Sequence, residues 1–518
     1  MTSRVQNDGS RMTAAQVWTL AVVCSAVALV IAAAAALNTA LPTIAVDTGA
    51  NQNELTWIVD SYTLCLAALL LPSGALGDRY GRRGVLLAGL AVVAVASALP
   101  IWFDDPQQLI TLRALAGVGA ALVMPSTLSL VSATFPPGQR ARGVAIWSGV
   151  AACGGITGLL VSGFLLEHWS WRSIFVGFAV ASVLLFVVAW TVPASRESEP
   201  PPFDIPGALL AVIGIGLLVL GMLEAPIRGW TDPLSLGAIV AGLACAGAFV
   251  VVELRRTEPL LDVRLFRNRA FGAGATSLAF QFFAAFSMFF LVIQYMQLVL
   301  EFSPLQAGLA MVPMFLPVLV ATVAMPWLQP RVGLRWLSAV GLVLCGAGLL
   351  VLATLGAEDS FASATISLLI FSAGIGLCTA PATTAILENT PDDKQGVASA
   401  VNDTTREVGA AIGIALAGSL LAATYRDSIA PAVAAVPEPA KEPVESSLAA
   451  ALEVAKAAGA QGDELADFAR AAFMDGLTHA SVTLGAVLLV AAVGIAAYAP
   501  SRKAAARKAE PELVADRD

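Results

Sequence analysis

Fourteen long apolar segments, separated by short polar ones, dominate the 518 residues of this sequence. A helix needs roughly 20 apolar residues to cross the hydrocarbon core of a bilayer, and it satisfies its backbone polar groups internally. Charged residues make up 13% of the chain, whereas soluble domains carry about 25%. The sequence therefore predicts an all-α integral membrane protein. The predicted spans are residues 17–41, 55–75, 84–103, 108–131, 141–166, 171–193, 205–225, 234–253, 272–299, 305–327, 335–355, 361–388, 395–423 and 477–499.

Arginine and lysine occur far more often in one set of connecting segments than in the other. Cytoplasmic loops of membrane proteins carry the excess of positive charge, so this set is predicted to face the cytoplasm. The short loops of the opposite set carry Arg172 and Arg228 alone. We therefore expect a multi-pass protein of the inner (cytoplasmic) membrane whose two tails, 1–16 and 500–518, both lie in the cytoplasm.

The most distinctive polar stretch, Pro72–Arg83, is predicted to form a loop between the second and third spans. Its glycines would let two helix ends approach closely. Asp78 is placed to accept hydrogen bonds from backbone amides or from a neighbouring arginine. We interpret the stretch as a conformational latch on the cytoplasmic side. The residues assigned to the latch are Gly74, Asp78, Arg79, Gly81, Arg82 and Arg83.

A shorter basic stretch, 329–335, lies between the second and third of the last six spans. Basic, glycine-containing loops at equivalent positions indicate an internal repeat, which is typical of duplicated transporters. We predict an N-terminal six-span bundle at 17–193, two linker spans at 205–253, and a C-terminal six-span bundle at 272–499.

Two acidic features are predicted on the outer side of the membrane. The long loop 424–476 carries much of the chain's net charge of −8. Its Pro/Ala-rich first part has the composition of a flexible segment, whereas 464–473 has helical spacing. Glu224, near the end of the seventh span, is interpreted as a loop residue.

Several of these stretches resemble one known family. The segment Gly74–Arg83 is similar to the loop signature of the major facilitator superfamily. The order of six, two and six spans resembles the fourteen-span drug:proton antiporters of the EmrB/QacA type within it. The resemblance implies the major facilitator fold, with two six-helix bundles that rock around a central cavity. Further similarities to the family occur at Trp57–Tyr62, Leu112–Ala121, His168–Phe175 and Asn402–Gly409.

Two positions depart from the family pattern. Ala33 stands where the first span of the family often carries an aspartate, nine residues before Pro42. In the fifth span, Gly158 is followed by Leu159, so the proline and one glycine of the antiporter signature are missing. That signature is associated with antiport, so these departures leave the direction of coupling open.

Charged residues within the spans require an explanation, because a charge at the bilayer centre costs about 2.5–3.5 kcal/mol on insertion scales. Proton-coupled transport needs an ionisable group that water reaches from alternate sides. We interpret Asp60 as a proton or cation site, and Arg113 as the group that holds its charge or relays the proton. The structural alternatives are a carboxylate that caps its helix and an arginine that extends to the membrane interface.

Asp403, Arg406 and Glu407 have the spacing i, i+3, i+4 and therefore share one face of a helix. Asn402 lies one turn before Arg406, and we expect a hydrogen bond between them. The functional interpretation is a gate or proton relay near the cytoplasmic entrance that also attracts a cationic substrate. The alternative is a structural salt bridge between the two halves.

The sequence predicts a transporter and not an enzyme. No ATP-binding GxxxxGK[ST] motif occurs, and two histidines with scattered cysteines do not form a metal-binding pattern. We therefore expect no cofactor and no metal, with the proton gradient as the driving force.

The predicted function is efflux of amphipathic small molecules, multidrug or quaternary-ammonium-like, by alternating access. The expected partners are the substrate, protons and the lipid bilayer, without nucleic acid, and an envelope partner of the loop 424–476 is left open. The alternatives are export of a lipid or secondary metabolite, or symport, with weakened or altered proton coupling. A non-transporting scaffold or sensor is disfavoured because the sequence lacks a sizeable soluble domain.

Overall fold

The computed structural model describes residues 12–50, 52–194, 203–356, 361–459 and 462–501. All regular secondary structure in these residues is helical, and fourteen helical segments are long and apolar enough to cross a membrane. The predicted all-α architecture with fourteen spans is confirmed. Most of both predicted tails lies outside the described residues.

Each half of the chain contributes six spans, and a helical hairpin lies between the halves. The N-terminal half consists of α1 (Ala14–Ala36), α2 (Leu41–Thr48), α3 (Gln52–Tyr80), α4 (Arg82–Ala98), α5 (Pro106–Thr134), α6 (Pro137–His168) and α7 (Arg172–Ala189). The hairpin consists of α8 (Ile205–Arg228) and α9 (Pro233–Arg255). The C-terminal half consists of α10 (Arg269–Gln294), α11 (Pro304–Ala310), α12 (Phe315–Val332), α13 (Leu334–Leu352), α14 (Phe361–Glu388), α15 (Gln395–Ala435), α16 (Glu438–Ser446), α17 (Leu448–Ala457) and α18 (Asp463–Tyr498).

One span of the C-terminal half is interrupted. A 3₁₀ turn at Val312–Met314 separates α11 from α12, and these two helices together form a single span. Pro313 lies in the turn, and its ring nitrogen has no proton to donate to an α-helical hydrogen bond. The interruption therefore follows from the sequence at this point.

The two halves repeat the same helix contacts. In the N-terminal half α1 packs against α6, α3 against α5, and α4 against α5 and α7. In the C-terminal half α10 packs against α15, α12 against α14, and α13 against α14 and α18. The helices at equivalent positions pair in the same way, as an internal duplication requires. The exact domain limits, 17–193, 205–253 and 272–499, stay predictions.

The halves meet along a seam formed mainly by α3 and α15, with further contacts from α5 and α6. We call the end of this seam that carries Gly81 the loop end. There, a Cβ added to Gly74 would overlap the carbonyl oxygen of Gly396, and a Cβ on Gly396 would overlap that of Gly74. Because neither residue has a side chain, α3 and α15 approach backbone against backbone.

The α8–α9 hairpin lies beside the seam and contacts both halves, because α8 packs against α3 and α15. Ala67 of α3, Val219 of α8 and Ala411 of α15 belong to one apolar cluster. At the turn of the hairpin, Trp230 donates a hydrogen bond from Nε1 to the Ser419 hydroxyl of α15 (2.8 Å). A movement of one half against the other would therefore disturb the hairpin.

The prediction of a loop over Pro72–Arg83 is wrong. Helix α3 continues to Tyr80 with Pro72 inside it, and α4 begins at Arg82, so Gly81 alone connects the two helices. Gly81 has φ +99°, which a residue with a Cβ adopts only under strain. The close approach that the glycines permit joins α3 to α15 of the other half, and not to α4.

The expected flexible segment at the start of 424–476 is also not observed. Helix α15 continues to Ala435, and α16 and α17 follow it. Val444 of α16 and Leu448 and Ala451 of α17 are buried, and the spacing i, i+3 places Leu448 and Ala451 on one face of α17. The phenol of Tyr425 donates a hydrogen bond to the Val444 carbonyl (3.0 Å). The apolar spacing outweighs the Pro/Ala-rich composition that suggested flexibility.

The glycine contact at the loop end generates a stability prediction. We expect Gly74→Ala to lower the free energy of unfolding by about 1–3 kcal/mol, the usual cost of overpacking, because the new methyl group meets the Gly396 carbonyl. The matched control is Gly77→Ala in the same helix, where the nearest atom is the Ser126 hydroxyl oxygen at 3.9 Å. Thermal unfolding in detergent measures both. Equal melting temperatures for the two variants would contradict the proposed close contact.

Candidate functional site

Asp78 joins the two halves at the loop end. Its carboxylate is 2% exposed and accepts hydrogen bonds from the backbone amides of Gly396 (2.8 Å) and Val397 (3.1 Å). These amides belong to the first turn of α15, where backbone N–H groups have no partner within the helix and the helix dipole favours negative charge. Arg82 adds an ion pair from one turn further along (3.3 Å). Both kinds of partner considered from the sequence, backbone amides and an arginine, are present.

Further hydrogen bonds across the loop end surround this contact. Arg82 donates to the carbonyl of Asp392 (3.2 Å), and Arg140 pairs with the Asp392 carboxylate (3.4 Å). The Ser132 hydroxyl donates to Oε1 of Gln395 (2.7 Å), which is buried. The donors come from α4, α5 and α6, so several helices of the N-terminal half hold the start of α15.

The other arginines assigned to the latch make contacts within the N-terminal half. Arg83 donates to the carbonyl of Val192 (3.0 Å) and thereby ties α4 to the segment after α7. The guanidinium of Arg79 lies over the Tyr80 ring, 5.6 Å from its centre. Asp78 and Arg82 therefore make contacts across the seam, whereas Arg83 supports the N-terminal half.

Arg113 is buried among helices of the N-terminal half and is 4% exposed. Its Nε donates to the carbonyl of Ile58 (3.1 Å) and its Nη2 to the carbonyl of Ala33 (3.2 Å). Its guanidinium carbon lies 4.3 Å from the centre of the Tyr62 ring. Backbone oxygens and an aromatic face thus hold this cation, and Ala33, at the position where the family often has an aspartate, contributes its carbonyl.

Asp60 is half-buried on α3, and the two hydrogen bonds of Arg113 described above go to carbonyls and not to its carboxylate. Its charged neighbour is Glu224 of α8, which is close enough for the two carboxylates to interact electrostatically. Glu224 is 6% exposed and pairs with Arg228 one helical turn later. The interpretation of Glu224 as a loop residue is wrong, because α8 extends to Arg228.

Asp403 is fully buried in α15, eight residues or about 12 Å from the start of the helix. Its Oδ1 accepts hydrogen bonds from Nδ2 of Asn402 (3.0 Å) and from Nη1 of Arg406 (3.4 Å). Asn402 accepts from the Thr383 hydroxyl (2.9 Å). The expected hydrogen bond from Asn402 to Arg406 is replaced by one from Asn402 to Asp403.

Arg406 connects the charged cluster of α15 to the N-terminal half. Its guanidinium carbon lies 4.3 Å from the centre of the Phe282 ring and 5.4 Å from that of Trp147, which belongs to α6 of the N-terminal half. Glu407 is half-buried and interacts electrostatically with Tyr62, also in the N-terminal half. Tyr62 in turn contacts Arg113, so the charged groups of the two halves are linked through one aromatic ring.

The arrangement can bind charge at two levels along the seam. Near the middle of the seam, acidic and arginine side chains of both halves lie close to aromatic rings. This arrangement can bind a cation or a proton. At the loop end, a carboxylate binds backbone amides in the first turn of α15 that have no partner within the helix. Within the described ranges, no three His, Cys, Asp or Glu side chains come together as metal ligands.

Sequence reasoning did not identify the amides of Gly396 and Val397 or the burial of Glu224. Every residue except proline has a backbone amide, so no pattern marks the two that Asp78 will meet. The sequence does contain an indication that Glu224 is helical, because Glu224 and Arg228 have the i, i+4 spacing that stabilises a continuing helix.

Proteins of known function match this chain along most of its length. The multidrug efflux pump LfrA of Mycolicibacterium smegmatis is 33% identical over 92% of this chain and 95% of its own length. The tetracenomycin C resistance and export protein of Streptomyces glaucescens is 31% identical over 91% of this chain and 88% of its own. The methyl viologen resistance protein SmvA of Salmonella typhimurium is 31% identical over 89% of this chain and 94% of its own length.

Solved structures support the same fold. The human organic anion transporter MFSD10 superposes with a TM-score of 0.62 over 93% of this chain and 99% of its own, at 15% identity. The proton:xylose symporter XylE superposes with a TM-score of 0.61 over 94% and 96%, also at 15% identity. The sequence profile of the Major Facilitator Superfamily matches residues 23–414. The chain, with its two repeated six-span halves, belongs to the major facilitator superfamily.

Proposed function

We propose that this protein exports amphipathic, cationic or neutral small molecules across the cytoplasmic membrane in exchange for protons. The loop end and both termini face the cytoplasm, and no cofactor takes part. The proposal rests on one observation above all. Arg406 of the C-terminal half lies against the Trp147 ring of the N-terminal half (5.4 Å), and Glu407 is the next residue of α15, so a titratable group lies where the two halves must separate.

The relatives favour efflux. Their names describe a multidrug efflux pump, a tetracenomycin C resistance and export protein, and a methyl viologen resistance protein. Methyl viologen is a planar aromatic dication, and the half-buried acids Asp60 and Glu407 supply negative charge at the seam that suits such a cation. The excess of arginine at the loop end supports a cytoplasmic location for that end.

Alternating access requires the loop end to open and close. Asp78, Arg82 and the start of α15 hold it closed in this structure. A substrate arriving from the cytoplasm enters after these hydrogen bonds break, and leaves after they form again. Because hydrogen bonds to charged groups contribute about 1.5–3 kcal/mol each, protonation of a nearby acid is sufficient to shift the balance between two such states.

Protons supply the energy in this mechanism. One elementary charge moving through 100 mV is worth about 2.3 kcal/mol, so exchange of one or two protons drives a useful gradient of substrate. Asp60 and Glu407 lie on opposite sides of the seam, on α3 and α15. Each is half-buried, and in the proposed cycle water reaches each acid from one side while its charge stays sensitive to movement of the halves.

Export of a lipid or a secondary metabolite with altered proton coupling is the second candidate, and two observations favour it. Ala33 supplies only a backbone carbonyl to Arg113, so the first span has no acid at this position. Leu159 replaces the proline of the antiporter signature beside Gly158, whose Cβ would lie 2.7 Å from the Cα of Ala32. Two relatives are named for export of tetracenomycin C and of cephamycin.

We expect Asp60→Asn and Glu407→Gln each to abolish proton-linked efflux, because the amides keep the shape of the side chains but do not titrate. Transport of a fluorescent organic cation from loaded proteoliposomes under a pH gradient measures this. The matched control is Glu464→Gln, an exposed acid on α18. Wild-type transport by both seam variants would remove these residues from the mechanism.

We expect Asp78→Ala to slow transport strongly and to leave the dissociation constant of the substrate nearly unchanged, because Asp78 holds the loop end and lies away from the mid-seam charges. Asp393→Ala is the control, since Asp393 is an exposed acid just before α15. Equilibrium binding and initial transport rates separate the two effects. A large loss of affinity in Asp78→Ala with normal turnover would contradict the assigned role.

The direction of coupling is tested by the pH inside proteoliposomes. Exchange predicts that substrate added to the outside alkalinises the lumen as it enters, because protons leave. Co-transport predicts acidification of the lumen under the same conditions, and acidification would replace the exchange mechanism with symport.

A further inference from the structure

A pair of buried carboxyl groups lies at the base of the α8–α9 hairpin, at the loop end of the molecule. Asp204 is the N-cap of α8, and its side chain is 2% exposed. Glu253 lies in the last turn of α9 and is 0% exposed. The hairpin brings together its first and last turns and thereby places both acids side by side, away from the charges at the middle of the seam.

One oxygen of each carboxyl group has a conventional partner. Oδ1 of Asp204 accepts from the backbone amide of Gly207 (3.1 Å) and lies 3.7 Å from Arg256. Oε2 of Glu253 accepts from the backbone amide of Leu261 (3.0 Å). These contacts hold both side chains in fixed orientations.

The other oxygens, Oδ2 of Asp204 and Oε1 of Glu253, are buried and have no donor among the described residues. Both lie against Gly207: a Cβ there would overlap the Glu253 oxygen and lie 2.9 Å from the Asp204 oxygen. The two oxygens therefore face the same small space beside Gly207. Two ionised carboxylates only accept hydrogen bonds, so these oxygens satisfy each other only when a proton lies between them.

The charges of the neighbouring groups also favour one proton shared by the two acids. Arg256 is the cation that pairs with Asp204, and it neutralises one negative charge. A second buried negative charge on Glu253 would have no cation within ion-pair distance among the described residues, which is costly in a region shielded from water. With one shared proton, the pair carries a single negative charge that Arg256 balances.

We propose that Asp204 and Glu253 form a proton-binding site that holds one proton between their carboxyl groups and releases it when the hairpin moves away from α3. The ligand is the proton. The site is distinct from Asp60 and Glu407, and its existence does not depend on the substrate or the direction of transport.

The pair lies next to the latch. A small cavity between the hairpin and the seam is lined by Asp78 and Arg79 of α3, Lys394 and Val397 at the start of α15, and Asp204 and Leu260 of the hairpin base. On the remaining side, Arg264 donates a hydrogen bond to the carbonyl of Leu254 (2.9 Å). Charged groups of α3, of the start of α15 and of the segment after α9 therefore lie around the hairpin base. When the latch opens, water reaches the two acids, both ionise, and the proton is lost to the loop-end side.

The sign of the pH effect follows from the proton count. The closed, folded state holds one proton more than a state in which both acids are hydrated and ionised. Its stability therefore falls as the pH rises, by up to about tenfold in the equilibrium constant per pH unit. In Glu253→Gln the amide donates a hydrogen bond to Asp204 without a titratable proton, so this contribution disappears.

The test uses the full chain in detergent, with thermal unfolding measured over a pH series and infrared spectra of the protonated-carboxyl band. We expect Glu253→Gln to lose one protonated-carboxyl band and to have a shallower pH dependence of the melting temperature than wild type. Asp204→Asn should behave in the same way, because its amide donates to Glu253 while its oxygen still accepts from Gly207. The matched control, Glu258→Gln, changes an exposed acid in the same segment and should resemble wild type.

Two results would overturn the proposal. The first is an unchanged protonated-carboxyl band and an unchanged pH dependence in both amide variants, which would mean that the two acids are ionised together. The second is stabilisation of the wild type by added Na⁺ or Ca²⁺ that is lost in Glu253→Gln, which would identify a bound metal cation in place of the proton.

Discussion

The contact between the Asp78 carboxylate and the first turn of α15 is the interaction on which the closed loop end depends. A carboxylate shielded from water is costly unless charge-assisted hydrogen bonds compensate for its lost hydration. The first amides of α15 have no partner within their own helix. The Asp78 carboxylate and these amides are therefore stable when they bind each other or when water hydrates both. Intermediate distances are unfavourable because neither the carboxylate nor the amides then have a partner. Gly74 and Gly396 make the contact possible because they let the two backbones touch.

The middle of the seam works by a different principle. Arg113 is held by the carbonyls of Ile58 and Ala33 and by the face of Tyr62, and the described contacts give it no carboxylate partner. The acids, Asp60 and Glu407, lie on either side of the seam. In the proposed mechanism, a cation anchored to the backbone leaves the acids to exchange protons or to bind a positively charged substrate. We propose that the loop end supplies two alternative states and that the charges at the middle of the seam favour one or the other.

Much of this architecture was predictable, because the length of an apolar segment is fixed by the thickness of the bilayer. The number and order of the spans followed from that length, and Asp78 stood out because an acid within a basic, glycine-rich stretch is unusual. The extent of α3 was not predictable. Pro72 and the glycines disfavour a helix locally, and packing against α15 outweighs them. The amides that meet Asp78 and the carbonyls that meet Arg113 belong to distant helices, and no residue pattern identifies such backbone partners. Helices α16 and α17 could not be recognised because their apolar positions lie within a Pro/Ala-rich composition.

The most direct test of the account is the distance across the loop end in the presence and absence of the Asp78 carboxylate. Spin labels placed at Tyr80 of α3 and Asp393 before α15, both exposed positions, report this distance by pulsed electron paramagnetic resonance. The chain is reconstituted in nanodiscs with its six native cysteines replaced by serine. If Asp78 holds the loop end closed, we expect a dominant short distance between the two labels with Asp78 present and a shift to longer distances in Asp78→Ala. The same distance distribution in both proteins would contradict it.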